Sequence, residues 1–326
     1  MDVLRSWAVQ DSPPGAAVAA LVARGDVEVG WLDRAIYEER TVVALYNARS
    51  ATAVIPVDEV AAYGTAQVPV DDAGFKAVLG RSVPEQDEGF AEPVDLAYDA
   101  ISEALDGRER TRDDLHAQLR ERLPGALLPW CESCGSHHAR RGLLIMAGLR
   151  GRLCISDRAG RQPVFARTDQ LVGWDAPPRA EAGAEFVRRY RKTYGDPDVA
   201  HFTEWAGLGR AHARELWALA GEAMGRRQTL KGVRLLASGD PVLLGRDREA
   251  LLPDAAARKK VWASLGGMGI VLDDGEAVAL WRPRKQGKRL DVTVEALAEV
   301  NREAVEHAVE RLAPHRGCST VRMRFD

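Results

Sequence analysis

Hydrophobic positions at helical spacing mark two consecutive helices in the middle of the chain. Thr111 has a typical N-cap side chain, and leucines recur at every fourth position over residues 115–123. A Pro-Gly pair follows and ends this pattern. A second periodic stretch covers residues 138–147. The sequence therefore predicts a pair of helices that is joined by the loop around residues 130–134.

Two short apolar runs follow the helix pair and predict a β-hairpin. They cover residues 153–155 and 163–165, and Gly160 lies between them at the expected tip. Arg158 and Arg161 flank this glycine. Two helices followed by a hairpin with a basic tip are typical of a winged helix, in which a helix enters the major groove of DNA and the wing contacts the backbone or the minor groove.

Similar patterns occur downstream of this segment. Periodic stretches at residues 184–194, 201–206 and 211–220 predict three helices, and a glycine turn joins the last two. The runs 233–236 and 241–244 predict the strands that follow. We interpret this segment as another winged-helix unit.

The pattern before residue 105 is less complete. Residues 16–22 and 31–39 predict helices, and residues 51–57 predict a strand. One more helix would ordinarily come first, so we expect an N-terminal unit that is truncated or has lost a helix.

The last part of the chain contains short apolar runs that are typical of β-strands. Residues 269–272 and 277–281 flank an Asp-Gly pair, which is a strong hairpin signal. A basic turn leads to a strand at 290–294, and a helix at 296–312 and a strand at 320–325 follow. These runs predict a small antiparallel β domain.

The chain of 326 residues exceeds the size at which a single core stops growing, so several packed units are expected. The predicted fold class is α+β, with about three tandem winged-helix units and a small C-terminal antiparallel β domain. The first unit with its linker, the second unit, the third unit and the β domain are expected at residues 1–105, 106–175, 176–240 and 241–326, respectively.

Composition and charge argue against a membrane protein and a secreted protein, and they bear on whether the chain binds nucleic acid. No apolar stretch is long enough to span a bilayer, and the first residues lack the pattern of a secretory signal. Four cysteines argue against a disulfide scaffold and favour a reducing cytoplasm. The net charge of −3 argues weakly against a nucleic-acid partner. Basic residues nevertheless cluster at 140–167, 188–192 and 282–289, and they are either solvated surface or a DNA-binding face.

Three stretches together carry a family resemblance, because they follow one another in a characteristic order along the chain. They are residues 45–56, residues 243–248, and residues 275–281 with the basic turn that follows. The chain resembles the winged-helix family that includes the AlkZ- and YcaQ-type DNA glycosylases, which excise alkylated bases and unhook interstrand crosslinks. The resemblance implies three tandem winged helices that form a concave surface of DNA size, together with a β domain. It implies duplex DNA as the partner.

The resemblance also implies a Gln-hydrophobic-Gln or Gln-hydrophobic-Asp motif near the chain start, which positions a water at C1′ of the sugar. The corresponding run contains Gln10 and Asp11. One register places Ala8 at the first motif position, and the other places Ser12 at the last, so neither restores the pair. The family's histidine in the first stretch is replaced by Ala53.

Gln10 and Asp11 are therefore the candidate catalytic residues. A cationic alkylated base is a good leaving group, so hydrolysis needs mainly a positioned water and negative charge near the developing oxocarbenium ion. Gln10 can orient the water and Asp11 can supply the charge. Alternatively, Asp11 and Ser12 cap the helix that follows two prolines.

Cys131, Cys134, His137 and His138 form the sharpest local cluster and are candidate ligands of a structural zinc ion. With two thiolates and one imidazole as the first three ligands, His138 or the distant Cys154 would supply the fourth. Adjacent histidines rarely both reach one metal, which argues against His138 together with His137. A loop whose histidines face DNA phosphate is the alternative, and a redox dithiol lacks its usual βαβ context. Zinc would fix the loop before the second helix, and base excision by hydrolysis requires no cofactor.

The sequence thus predicts a DNA-repair glycosylase that hydrolyses the N-glycosidic bond of alkylated or crosslinked bases. We expect a monomer in the cytoplasm, associated with the nucleoid, with no membrane partner. The side chains expected to contact phosphates or the minor groove are Arg49, Arg158, Arg161, Arg282, Arg284, Lys285 and Lys288. A DNA-binding protein without catalysis (a damage sensor, a self-resistance factor or a regulator) is the alternative, and a metal-dependent hydrolase at the Cys-His cluster is a third.

Overall fold

The computed structural model describes residues 2–84, 88–160, 162–195, 198–221, 230–245, 247–263 and 266–326. The chain forms two compact units: unit 1 comprises Met1–Val3, Ala8–Leu32 and Arg226–Asp326, and unit 2 comprises Leu4–Trp7 and Asp33–Gly225. No helix in the described ranges has the length and apolar character needed to cross a bilayer.

The helices and strands have the following bounds. The α-helices are α1 (Ala16–Val22), α2 (Trp31–Tyr37), α3 (Val60–Gln67), α4 (Asp72–Leu79), α5 (Ala91–Ala104), α6 (Arg112–Arg122), α7 (Arg141–Leu149), α8 (Thr168–Leu171), α9 (Arg179–Tyr194), α10 (Val199–Ala206), α11 (Arg210–Leu219), α12 (Pro241–Leu244), α13 (Arg248–Leu251), α14 (Ala255–Val261) and α15 (Arg302–Leu312). The strands are β1 (Val42–Tyr46), β2 (Thr52–Pro56), β3 (Arg110–Thr111), β4 (Trp130–Cys131), β5 (Ser136–His137), β6 (Cys154–Ala159), β7 (Gln162–Ala166), β8 (Arg234–Leu236), β9 (Gly269–Asp273), β10 (Glu276–Gln286), β11 (Arg289–Ala296) and β12 (Thr320–Phe325). Short 3₁₀ turns cover Leu4–Ser6, Val57–Glu59, Gly80–Ser82, Gly125–Leu127 and Pro314–Arg316.

Unit 2 contains the helix pair and hairpin that the sequence predicts in its clearest segment. Thr111 caps α6 by accepting a hydrogen bond from the backbone N–H of Asp114 (3.2 Å). Helix α7 and the hairpin β6–β7 follow, as predicted. Strand β6 also pairs with β1, so the hairpins β1–β2 and β6–β7 share one five-stranded sheet in the order β2-β1-β6-β7-β3.

Unit 1 is built on a second five-stranded sheet, in the order β12-β11-β10-β9-β8. The expectation of a purely antiparallel sheet is wrong for the last strand, because β11 and β12 are parallel. The connection between them passes through α15, and parallel neighbours require such a crossover. Helix α15 begins at Arg302 and not at Ala296, because Ala296 still pairs with Ala279 in the sheet and Asn301 caps the helix.

Both faces of the unit 1 sheet carry hydrophobic clusters. Trp281 belongs to the cluster that includes residues of α1 and α15, and its neighbour Leu280 belongs to the cluster with α12 and α14. Successive side chains of a strand point to opposite faces, so this alternation places a layer of helices on each side of β10. The second layer does not extend over the part of β10 that follows Leu280, where Arg282 and Arg284 are exposed.

Two elements of the predicted third winged helix differ from expectation. Residues 241–244 form helix α12 and not a strand, because Asp240 caps the segment and Pro241 is at its first turn. Strand β8, predicted at 233–236, pairs with β9 in the unit 1 sheet. The predicted segment 1–105 is also divided, because α1 packs against α15 and β8 in unit 1 whereas β1 and β2 belong to unit 2.

Candidate nucleic-acid interface and active site

A buried carboxylate anchors the chain immediately before the candidate catalytic residues. Within unit 2, the indole Nε1 of Trp7 donates a hydrogen bond to Oε2 of Glu59 (2.7 Å). The Arg189 guanidinium lies 4.2 Å above the Trp7 ring and donates to Oε1 of Glu59 (3.0 Å). Arg5 completes this network through an ion pair with Glu59. The Trp7 side chain is therefore held in a fixed position within unit 2.

Asp11 performs the capping role that the sequence offers as the alternative to catalysis. Its Oδ1 accepts hydrogen bonds from the backbone N–H groups of Gly15 (2.7 Å) and Ala17 (3.3 Å) at the start of α1. A carboxylate at a helix N-terminus also interacts favourably with the helix dipole. The carboxylate is thereby held in place with its negative charge close to Gln10.

The Gln10 side chain has a different environment. It is only 5% exposed, and its Nε2 has no hydrogen-bond partner among the described residues. A buried donor without a partner costs about 1–3 kcal/mol. In native folds such a donor commonly forms a hydrogen bond with a water molecule or a ligand.

Arg316 lies beside these residues within unit 1. A Cβ on Gly15 would be 2.9 Å from Nη1 of Arg316, so the guanidinium lies against the turn that Asp11 caps. Burial lowers the pKa of Arg316 from its usual value, and the nearby Cys318 and Asp11 act in the opposite direction. No sequence motif indicates Arg316, because only the fold brings the two ends of unit 1 together.

The basic hairpin β10–β11 presents cations from unit 1. Arg282 and Arg284 are exposed at alternate positions of β10, so they lie on one face of the sheet. The side chains of Arg284 and Lys288 form no hydrogen bond or ion pair with any part of the chain that the structure describes. Nζ of Lys285 donates to the backbone carbonyl of Arg316 (2.8 Å). The predicted basic turn is therefore available to anions.

The same face continues across the sheet to β12. Arg284 pairs in register with Asp291, which in turn pairs with Arg322. Arg282 and Arg324 likewise flank Thr293, and both arginines of β12 are exposed. The alternating Arg-x-Arg pattern of both strands is visible in the sequence, but the parallel pairing that joins them is not.

Two of the three basic residues predicted in unit 2 have partners within the protein. Arg49 lies in the loop between β1 and β2, and its guanidinium is 5.1 Å from the centre of the Trp205 ring. Nε of Arg158 donates to the Tyr37 hydroxyl (3.0 Å). Arg161, at the tip of β6–β7, lies outside the described residues.

Unit 2 also contains a cleft of about 480 Å³ with a basic lining. The residues that line it are Tyr46, Arg112, Asp113, His116, Arg120, Ser133, Cys134, Ser136, His138, Ala139, Arg141, Leu144 and Phe165. The Arg141 guanidinium lies 5.0 Å from the centre of the Tyr46 ring. Burial raises the pKa of the Tyr46 hydroxyl, which Arg141 partly offsets.

Three of the four predicted metal ligands come together at this cleft. The ligand atoms of Cys131, Cys134 and His138 all lie within 4.8 Å of one another. His137 is directed elsewhere: its Nδ1 bonds to the Leu128 carbonyl (2.8 Å), and its ring packs on Trp130 (5.2 Å between centres).

The cysteine thiols differ in environment. The hydroxyl of Ser133, 3.2 Å from Sγ of Cys131, is the largest cause that lowers the Cys131 pKa to about 6, and Cys134 adds to it. Burial raises the pKa of Cys154 to about 11, and its Sγ faces the Ala166 carbonyl (3.7 Å). Cys154, which the sequence leaves open as a fourth ligand, lies outside the group that could hold a metal.

Comparison with known proteins identifies the family. The solved structure of the Streptomyces sahachiroi DNA glycosylase AlkZ superposes with a TM-score of 0.71 over 99% of this chain and 92% of that one, at 21% identity, so the two share a fold. No curated protein matches the chain. The family model described as DNA glycosylase AlkZ-like matches residues 3–315. Since this match covers nearly the whole sequence, the chain belongs to the AlkZ-like DNA glycosylase family, as its sequence predicts.

Proposed function

We propose that this DNA-repair glycosylase hydrolyses the bond between C1′ and an alkylated base in duplex DNA with a water that is bound by Gln10. The observation that carries the proposal is the buried Nε2 of Gln10, which has no hydrogen-bond partner among the described residues. A carboxamide donates from nitrogen and accepts at oxygen, so it can hold and orient a water molecule. The prediction of a hydrolytic DNA glycosylase is confirmed by family membership, and the assignment of its catalytic residues is our own.

Asp11 supports this reaction by charge. In the loss of a cationic alkylated base, the electron pair of the C1′–N bond moves to the base, which leaves as a neutral molecule. Water then adds its oxygen to C1′ and releases a proton to solvent. The oxocarbenium-like sugar is positive at this stage, so the fixed carboxylate of Asp11 stabilises it without accepting a proton.

We further infer that the basic residues hold the DNA backbone. The exposed cations of β10–β11 (Arg282, Arg284, Lys285 and Lys288) would contact phosphates, joined by Arg49 and Arg158 of unit 2. Our proposal of about three winged-helix units is supported by α6, α7 and the hairpin β6–β7 for the second unit, and by α10, the Gly207 turn and α11 for the third. A chain with several DNA-binding units needs no symmetric partner, which supports a monomer. Its DNA substrate supports a location in the cytoplasm, with the nucleoid.

The test is the release of free base from duplex DNA that carries 7-methylguanine. Gln10→Ala removes the group that would hold the water, and we expect base release to fall with DNA affinity unchanged. Asp11→Asn keeps an oxygen that can cap α1 but removes the charge, so it should lower the rate and not the affinity. Release that is unaffected by Gln10→Ala would overturn the assignment of this residue.

A second candidate is a member of the family that binds damaged DNA without excising the base. It is favoured by the use of Asp11 Oδ1 as a helix cap and by Ala8 and Ser12 at the alternative motif positions. Tight binding of the modified duplex with no release of base by the native chain would establish this function.

A further inference from the structure

The Cys131–Cys134 segment is folded as a tight turn. Strands β4 and β5 pair at its base, and the Cys131 carbonyl accepts hydrogen bonds from the backbone N–H groups of Cys134 (3.2 Å) and Gly135 (2.8 Å). Gly135 has φ +60°, a conformation that favours glycine. The turn brings both sulfur atoms to the Ser133 hydroxyl, at 3.2 Å and 3.9 Å.

His138 presents one nitrogen to these sulfurs. Its Nδ1 is 2.8 Å from the Ala139 carbonyl, and this acceptor requires the proton to be on Nδ1. The lone pair is then on Nε2, which is buried and has no hydrogen-bond partner among the described residues. One ring nitrogen of His138 lies within 4.8 Å of both sulfurs. Histidine ligands of metals commonly donate their other nitrogen to a backbone carbonyl in this way.

His116 contacts His138 from α6, although it lies outside the three residues whose ligand atoms are within 4.8 Å of one another. Its ring centre is 4.5 Å from that of His138, and the side chain is only 8% exposed. Its Nδ1 is buried and has no hydrogen-bond partner in the described part of the chain. Two imidazoles in contact, each with an unsatisfied buried nitrogen, are unfavourable unless something binds between them.

We propose that Cys131, Cys134, His138 and His116 bind a zinc ion with tetrahedral geometry. Two thiolates and two neutral imidazoles are a common ligand set for structural zinc. The ligand atoms of Cys131, Cys134 and His138 lie within 4.8 Å of one another, which suits bonds of roughly 2.0–2.3 Å, and the His116 ring, in contact with His138, is the neighbouring imidazole that would supply the fourth ligand. The cluster also fits electrostatically, because two thiolates neutralise the ion, so no net positive charge is added beside Arg112, Arg120 and Arg141. The cysteine protons are released to solvent on binding.

The ion would join the loop at residues 130–139 to α6. This loop leads directly into α7, so zinc would fix the start of that helix. The role is structural, because four protein ligands fill the tetrahedral coordination of the ion and leave no open position for a reacting water.

The experiment measures zinc in the full-length protein purified without chelators, by elemental analysis and by reconstitution of the metal-free protein with Zn²⁺ or Co²⁺. We expect one zinc per chain and, with Co²⁺, the intense visible absorption of a tetrahedral site with thiolate charge-transfer bands. Cys131→Ser, Cys134→Ser and His138→Ala should abolish binding. His116→Ala should weaken Zn²⁺ binding by at least the roughly 10- to 100-fold that follows removal of an outer-sphere partner.

His137→Ala is the matched control. It removes the histidine adjacent to His138, which bonds to Leu128, and it should leave zinc content and the Co²⁺ spectrum unchanged. Native protein that neither contains zinc nor takes it up on reconstitution would overturn the proposal. Unchanged affinity of the His116→Ala variant, or loss of zinc only in His137→Ala, would overturn the ligand set. Base release does not enter this test, so its outcome is separate from that of the proposed reaction.

Discussion

The two compact units differ in the number of buried imidazole nitrogens that lack a hydrogen-bond partner among the described residues. In unit 2 these nitrogens are on His116, His138 and His212. In unit 1 one such nitrogen is on the less buried His315, and the carboxamide nitrogen of Gln10 also lacks a partner among the described residues. An imidazole can gain a proton or a metal ion, whereas a carboxamide can gain only a hydrogen-bond partner. The imidazoles of unit 2 should therefore respond to acid and to metal, and Gln10 of unit 1 should respond to water and substrate.

The largest effect is expected when the Gln10 site is made apolar. Gln10→Leu has a similar volume and replaces a buried polar group with an apolar one, so the free energy of unfolding should stay within about 1 kcal/mol of the native value. Base release should fall by roughly 10²- to 10³-fold, as for the loss of one positioned donor in other active sites. Thermal unfolding and single-turnover release measure the two effects. A variant that loses both stability and activity would show that Gln10 is a structural residue.

The second prediction concerns the pH dependence of stability. Burial, and then the charge of Arg179, lowers the pKa of His212 to about 4. The unfolded chain has the ordinary value near 6.5, so it binds a proton first as the pH falls. This contribution to stability is complete above about pH 6.5 and is lost as the pH falls towards 4, by on the order of 3 kcal/mol.

His212→Leu tests that assignment. Unfolding in denaturant, measured over pH 4 to 7, should give a shallower pH dependence for the variant than for the native chain. Other groups titrate in the same range and contribute equally to both proteins, so the difference reports on His212. Parallel curves would contradict the prediction.

The third prediction compares the cations on the two units. Reversal of Arg282, Arg284 and Lys288 to Glu should weaken DNA binding and lower the slope of log affinity against log salt by about 0.9 for each phosphate that is no longer neutralised. In unit 2, Arg49 and Arg158 already contact Trp205 and Tyr37, so Arg49→Ala and Arg158→Ala should change the slope less. Binding isotherms at several salt concentrations measure both. Equal slopes for the triple variant and the native chain would remove β10–β11 from the interface.

The smallest effect is expected at the helix cap. Asp11→Ala removes both hydrogen bonds to the start of α1 and should cost about 1 kcal/mol of stability, whereas Asp11→Asn should cost less. Calorimetric unfolding of the two variants measures the difference. Equal stability of Asp11→Ala and the native chain would mean that the carboxylate is held by something other than capping.

Local patterns in the sequence are sufficient where the structure depends on neighbouring residues. The cap at Thr111, the leucines of α6 and the hairpin β6–β7 all follow from spacing within a few residues. The prediction of a strand at α12 is wrong because four apolar residues fit either structure, and the cap at Asp240 decides between them.

The candidate sites can likewise be predicted from the sequence only where their residues are close neighbours along the chain. The spacing of Cys131 and Cys134 is visible in the sequence, and so is the replacement of a motif residue by Ser12. His116 cannot be assigned to the cluster from the sequence, because it comes from the helix before the loop and only the packing of α6 brings it to His138. Arg316 cannot be assigned from the sequence for a similar reason, because the turn that it contacts, after Asp11, lies at the opposite end of the sequence.

The discontinuity of unit 1 has a consequence for synthesis on the ribosome. Residues 8–32 emerge early, but the strands and the helix on which α1 packs emerge only after all of unit 2. Unit 2 can complete its core while the chain is still growing, whereas Ala19 and Val22 of α1 must wait with their apolar surface uncovered. A nascent chain that stalls before β12 would therefore present a folded unit 2 beside an unfinished unit 1, which makes the early apolar segment a natural target for chaperones.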